Sequence, residues 1–104
     1  MQLLEKEFIG GGETRGFTYS QVKSSERAFL YRVSSEEDSW FEIFERKVQQ
    51  EGDVVRMGVN IHHICKELYP NSKSFGVWAW TTSNPTRAEE LFSRIDNRKI
   101  KEKL

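Results

Sequence analysis

Cysteine occurs once and proline twice in the 104 residues, and no apolar run approaches the roughly 20 residues that a bilayer-crossing helix needs. A lone Cys65 closes no disulfide within the chain, so a disulfide scaffold is excluded and the fold must rest on its own core. With so little proline and no Gly/Ser-rich tract there is no linker, and the length suits one domain. Charge of one sign is also lacking: 16 Lys+Arg cancel 16 Asp+Glu, which removes the broad positive field of a protein that grips phosphate backbones over its whole surface. Met1–Glu7 has no cationic stretch leading into an apolar run, so a secretory leader is not expected. The expected setting is the cytoplasm, away from membranes.

What is present is 37% hydrophobic and 12% aromatic residues, enough for one modest core. Charge is uneven along the chain. Residues 1–52 hold seven Lys/Arg against ten Asp/Glu, and residues 53–104 hold nine against six. Much of the positive excess falls after Arg94, where Arg98, Lys99, Lys101 and Lys103 follow closely. The organisation expected is a single α+β domain over 1–96 and a basic, fraying tail over 97–104.

Up to residue 82, apolar stretches of five to eight residues alternate with polar clusters, the rhythm of strands joined by turns. Strands are predicted over 3–9, ending at Gly10-Gly11-Gly12-Glu13; over 15–23, with Phe17 and Tyr19 on one face; and over 28–33, with Phe29, Tyr31 and Val33 opposite Ala28, Leu30 and Arg32. Residues 40–48 could align Phe41, Phe44 and Val48 on a helix, but the flanking turn signals favour a strand. Residues 54–69 read either as a helix through Ile61, Ile64, Cys65 and Leu68 or as paired strands broken near Gly58, and strands are preferred. Tyr69-Pro70-Asn71-Ser72 ends that element.

Residues 74–82 alternate without any charge and predict an interior strand, with Phe75, Val77 and Ala79 on one face and Trp78 and Trp80 on the other. A helix follows at once: Asn84 is a cap, Pro85 suits the first helical position, and Ala88, Leu91, Phe92 and Ile95 share one stripe up to Asp96-Asn97. The fold expected is an antiparallel sheet of about five strands with this C-terminal helix packed on one face. A helix on a sheet needs small or flat side chains beneath it, so the Phe75, Val77 and Ala79 face is expected to be the floor for Leu91, Phe92 and Ile95, leaving Trp78 and Trp80 outward.

Paired outward indoles form a stacking surface for planar groups, nucleobases above all, which Trp40, Tyr19 or Tyr31 extends if register allows. Bulky aromatics filling a small core are the competing account. His62, His63 and Cys65 are the candidates for metal ligation, but adjacent histidines diverge on a strand or a helix and no second Cys/His pair exists, so neither metal nor cofactor is expected. The Gly10–Gly12 cluster lacks the phosphate-loop frame and reads as a turn. Glu42 and Glu45, three apart on a strand, face opposite sides and make no acid/base pair. Cys65 near two histidines has no orienting partner by pattern, so no catalytic residue is assigned.

Through Trp40-Phe41-Glu42-Ile43-Phe44-Glu45-Arg46-Lys47, Tyr69-Pro70 and Phe75-Gly76-Val77-Trp78-Ala79-Trp80-Thr81 the chain resembles a group of short hypothetical bacterial proteins over roughly residues 5–95. The resemblance implies a bacterial origin and the order of sheet before helix, and it transfers no site residue. The leading functional reading is a small non-enzymatic binding or adaptor domain for a macromolecular partner. Its sharper form is single-stranded nucleic-acid binding through Trp78, Trp80, Trp40, Arg94, Arg98, Lys99 and Lys101. A homodimer or other homo-oligomer closing over the aromatic face, and an enzyme with an unmarked pocket, are the alternatives.

Overall fold

Period-two alternation produces the strands that build the body of the protein. The computed structural model describes residues 2–49, 52–56, 58–63 and 65–97, with the backbone alone for 52–56 and 59–63. Strands β1 (Glu7–Ile9), β2 (Thr18–Ser24), β3 (Ala28–Ser34) and β4 (Ser39–Glu45) follow one another as antiparallel neighbours. Between them run β5 (Val48–Gln49), β6 (Gly52–Arg56), β7 (Val59–His63) and β8 (Lys66–Glu67), and after them β9 (Ala79–Thr82) and helix α1 (Pro85–Asp96). The main sheet is five-stranded in the order β1-β2-β3-β4-β9, with α1 laid against β3, β4 and β9. This is the α+β class expected.

Serine side chains shape the tight connections. Ser25 Oγ accepts from the backbone N–H of Arg27 and Ala28 between β2 and β3, and Ser35 Oγ accepts from Asp38 N between β3 and β4. A bulge between Gln21 and Lys23 shifts the β2 register, so Lys23 turns to the helix side, where its Nζ sits 5.0 Å over the Phe92 ring and 3.1 Å from Glu89.

Among the described residues of 54–69 the regular structure is paired strands, as preferred. β6 pairs with β7 about a turn at Gly58, whose φ of 77° suits glycine, and β5 pairs with β8 in the same register, so both ladders belong to one hairpin. The first predicted strand is shorter than expected. Gln2 N donates to Cys65 O, Glu67 N to Gln2 O and Leu4 N to Glu67 Oε1, so residues 2–4 are tied to β8 and the ladder with β2 begins only at Glu7.

Two expectations for residues 74–82 are overturned. Only Ala79–Thr82 is strand, and among the described strands it pairs with β4 alone, at the edge of the sheet. Asn71 Oδ1 accepts from Lys73 N and Ser74 Oγ, and Ser74 O accepts from the amides of Val77, Trp78 and Ala79, so these groups close turns instead of a ladder. Gly76, at φ 89°, makes the last reversal, and Val77 is left exposed.

The helix covers the face opposite to the one predicted. The β9 register sets Ala79 against Phe44 and Trp80 against Ile43. Ala28, Leu30 and Ile43 are the small, aliphatic floor on which Ala88, Phe92 and Ile95 rest, and Trp80 lies beside them. Leu30, Ile43, Phe92 and Ile95 each contribute roughly 1.5–3 kcal/mol on burial, and the two alanines less. The helix itself begins and ends as read: Asn84 Oδ1 accepts from Thr86 N and Arg87 N, Pro85 occupies the first turn, and Asn97 closes the C-terminus. The other face carries Tyr19, Phe29, Tyr31, Val33 and Phe44, an aromatic layer roofed by segments rather than by a helix.

Candidate functional site

The roof over the aromatic layer is made by residues that alternation alone does not place together. Phe8 on β1 stacks on Tyr19 at 4.6 Å with nearly parallel planes, as the pairing of Phe8 with Tyr19 dictates. Tyr69, arriving from the hairpin's return strand just before Pro70, drives its ring edge-on into this layer, with ring centroids 4.8–5.5 Å from those of Phe44, Tyr19, Tyr31 and Phe8. The Gly10–Thr14 turn folds over the end of β1. Here Gly10 is obligatory, because a Cβ would sit 2.3 Å from Thr14 O.

Between these walls lies a cavity of about 640 Å³. Tyr19 and Glu42 line it from the sheet, Phe8, Gly10, Gly11 and Thr14 from one side, and Tyr69, Pro70 and Phe75 from the other. A smaller hollow lined by Trp40, Glu42, Phe75 and Thr81 adjoins it and shares Glu42 and Phe75, so the carboxylate stands between the two. Glu42 lies there because β4 directs Trp40, Glu42 and Phe44 to the same face, opposite Phe41 and Ile43.

Glu42 is held from both sides. Tyr69 Oη donates to Oε1 at 2.7 Å, and Trp40 Nε1 donates to Oε2 at 2.9 Å. Burial, then the neighbouring Glu42 charge and this hydrogen bond, push the Tyr69 phenol far above the usual tyrosine range. Burial also raises Tyr19, against a lowering hydrogen bond from Thr14, and Tyr31, whose hydroxyl donates to Glu5 O and accepts from Gln21 Nε2. The phenols are therefore neutral donors at physiological pH. Among the described residues, Glu13 and Glu42 are the charged ones lining the cavity, and no lysine or arginine lines it.

The tryptophan surface expected from sequence does not form. Trp78 lies in the turn before β9, its ring 6.2 Å from that of Phe44 on the aromatic side and 5.9 Å from Lys47 Nζ. Trp80 lies on the opposite, helix side, in a shallow hollow of about 280 Å³ with Arg87, Leu91, Arg94 and Ile95. Trp40 shares the aromatic side with Trp78, but its ring is perpendicular to Phe17 at 5.2 Å. Of the cations proposed alongside them, Arg94 lines the same hollow as Trp80, and Arg98, Lys99 and Lys101 lie outside the described residues.

His62 and His63 are consecutive in β7, opposite Asp53 and Gly52, and their side chains are outside the described residues; Cys65 is a half-buried free thiol. Among the described residues no group of three or more His, Cys, Asp and Glu is placed to hold a metal, and no helix is long and apolar enough to cross a membrane. The grouping of Phe8, Tyr69, Phe75 and Glu42 around one cavity escaped the sequence reading. The available signal was Trp40-x-Glu42-x-Phe44, a carboxylate on an aromatic strand face. In comparisons with protein-family models, curated proteins and solved structures, nothing matched this chain.

Proposed function

We propose that the protein is a small non-enzymatic binding module that seats a cationic group in the aromatic cavity beside Glu42. The observation that supports this reading is the cavity's lining, in which Phe8, Tyr19, Tyr69 and Phe75 stand with Glu13 and Glu42 and a few neutral polar groups, and which holds no positive side chain among the described residues. Aromatic faces attract a cation by about 0.5–2 kcal/mol per ring, more as water is removed, and a nearby carboxylate adds attraction of the same sign. An anion would meet repulsion from Glu13 and Glu42. Nucleic acid is disfavoured at this cavity on the same ground, since a phosphate needs the cations that it lacks.

The test is a titration of the isotopically labelled protein with tetramethylammonium chloride, followed by the ring resonances of Tyr19 and Tyr69 and the Trp40 indole N–H. A neutral isostere, 3,3-dimethylbutanol, and acetate serve as controls at matched ionic strength. Saturable shifts at these rings with the cation, and weaker ones with either control, are expected. Glu42→Gln should lower the cation's affinity about tenfold, corresponding to ~1.4 kcal/mol. Equal binding of the neutral isostere by the unaltered protein, or shifts confined to other surfaces, would refute the reading.

A further inference from the structure

The hollow on the helix side has chemistry opposite in sign to that of the aromatic cavity. Trp80 reaches it from the sheet, because the β9 register sets this residue beside Ile43 on the helix side. Arg87, Leu91, Arg94 and Ile95 reach it from α1, where steps of four, seven and eight residues from Arg87 place them along one flank. Two arginines, one indole and two aliphatic side chains thus border a space of about 280 Å³. None of the helix acids, Glu89, Glu90 and Asp96, lines it. Glu89 is paired with Lys23 at 3.1 Å. Arg87 meets Glu90 at 3.3 Å in an exposed pair, which water screens and a ligand can replace at little cost. Arg94 is exposed and pairs with no carboxylate among the described residues.

We infer that this hollow binds an aromatic oxyanion, a carboxylate or phosphate carried directly on a single planar ring. A guanidinium fork donates two parallel N–H bonds to either oxyanion, and two such forks border the hollow. The ring is received by Trp80 and Leu91, both half-buried, with Ile95 beneath. An oxyanion without a ring leaves that apolar surface uncovered, and a ring without charge draws nothing from the arginines. The space lies just under the roughly 300–1,000 Å³ of drug-sized ligand sites, which suits one ring and its anionic group. A cationic ring would be repelled here by Arg87 and Arg94. The site is on the face of the sheet opposite to Glu42, so it stands or falls independently of cation binding there.

The experiment titrates benzoate and phenyl phosphate separately into the isotopically labelled full chain at pH 7 and constant ionic strength. The readout is the Trp80 indole N–H, with the Trp40 and Trp78 indoles on the aromatic side as references. Acetate and inorganic phosphate supply the anion without the ring, and benzyl alcohol the ring without the charge. Saturable shifts at Trp80 are expected from at least one of the two ring-bearing anions, about fivefold tighter or more than from its ringless counterpart or from benzyl alcohol. The tighter of the two identifies the oxyanion. Equal binding of benzyl alcohol or of the ringless anions would overturn the inference, as would shifts of equal size at all three indoles or none at Trp80. Arg94→Gln, at an exposed position that folding does not depend on, should weaken binding about fivefold, and Arg94→Lys, which keeps the charge without the fork, should fall between. Unchanged affinity in Arg94→Gln would overturn the assignment of the anion to this hollow.

Discussion

Raising the pH above 10 should unfold this protein cooperatively, because all three of its tyrosines, Tyr19, Tyr31 and Tyr69, belong to one aromatic cluster and all three are shifted upward. Burial is the first cause in each case. In the unfolded chain the phenols ionise near pH 10, while in the folded protein they hold their protons to higher pH. Below pH 10 both states are protonated and the stability is complete. Above it the unfolded state sheds protons that the folded state retains, and each tyrosine lowers stability, by up to about 1.4 kcal/mol per pH unit, until its folded-state phenol also ionises. Tyr69, held farthest above its ordinary range, removes about 1.4 kcal/mol by pH 11, and Tyr19 and Tyr31 add to the loss in the same direction, against the roughly 5–15 kcal/mol of a typical domain.

The assay is a pH titration followed in parallel by tyrosinate absorbance and far-ultraviolet circular dichroism. Both signals should move together in one steep transition above pH 10. Tyr69→Phe should flatten the dependence of unfolding free energy on pH by about 1.4 kcal/mol per unit. Phenols that titrate individually near pH 10 while the dichroism stays native would refute the assignment of the cluster to the interior.

Two further outcomes test the supports of the site. Glu67 is buried, accepts from Leu4 N at 2.9 Å and pairs with Arg46, so Glu67→Ala should cost about 3 kcal/mol and lower Tm by about 10–15 °C; a shift under about 3 °C would show that the tie between residues 2–4 and β8 contributes little. Gly10→Ala would place a methyl 2.3 Å from Thr14 O, forcing the Gly11–Thr14 turn away from the cavity at a cost of about 1–3 kcal/mol, whereas Gly11→Ala, which meets nothing within 4 Å, should change denaturant stability by no more than about 0.5 kcal/mol.

Local chemistry made much of the architecture legible. Asn84, Pro85 and the stripe through Ala88, Phe92 and Ile95 mark a helix whose start, end and buried face need no tertiary partner to identify. The same holds for β3, where Phe29, Tyr31 and Val33 separate from Ala28 and Leu30 by parity alone. Residues 74–78 misled because Phe-Gly-Val-Trp alternates as a strand does, while the Asn71 and Ser74 hydrogen bonds that fold it into turns are equally local but leave no hydrophobic period. The cavity was illegible for another reason. Phe8, Glu42 and Tyr69 are 27 or more residues apart, and only the pairing of β1 with β2 and the return of the long hairpin bring them within ring-contact or hydrogen-bond range.

By itself, then, the sequence determined most of the segments that extend, where the helix starts and stops, and which side chains point together along an unbulged strand such as β3, since each follows from backbone preference and a period of two or 3.6. Which face the helix would cover was decided only by the tertiary structure. A strand shows both faces until its neighbours' register commits one of them, and here β9 meets β4 with Trp80 beside Ile43, placing one indole on the helix side and leaving Glu42 among rings on the other.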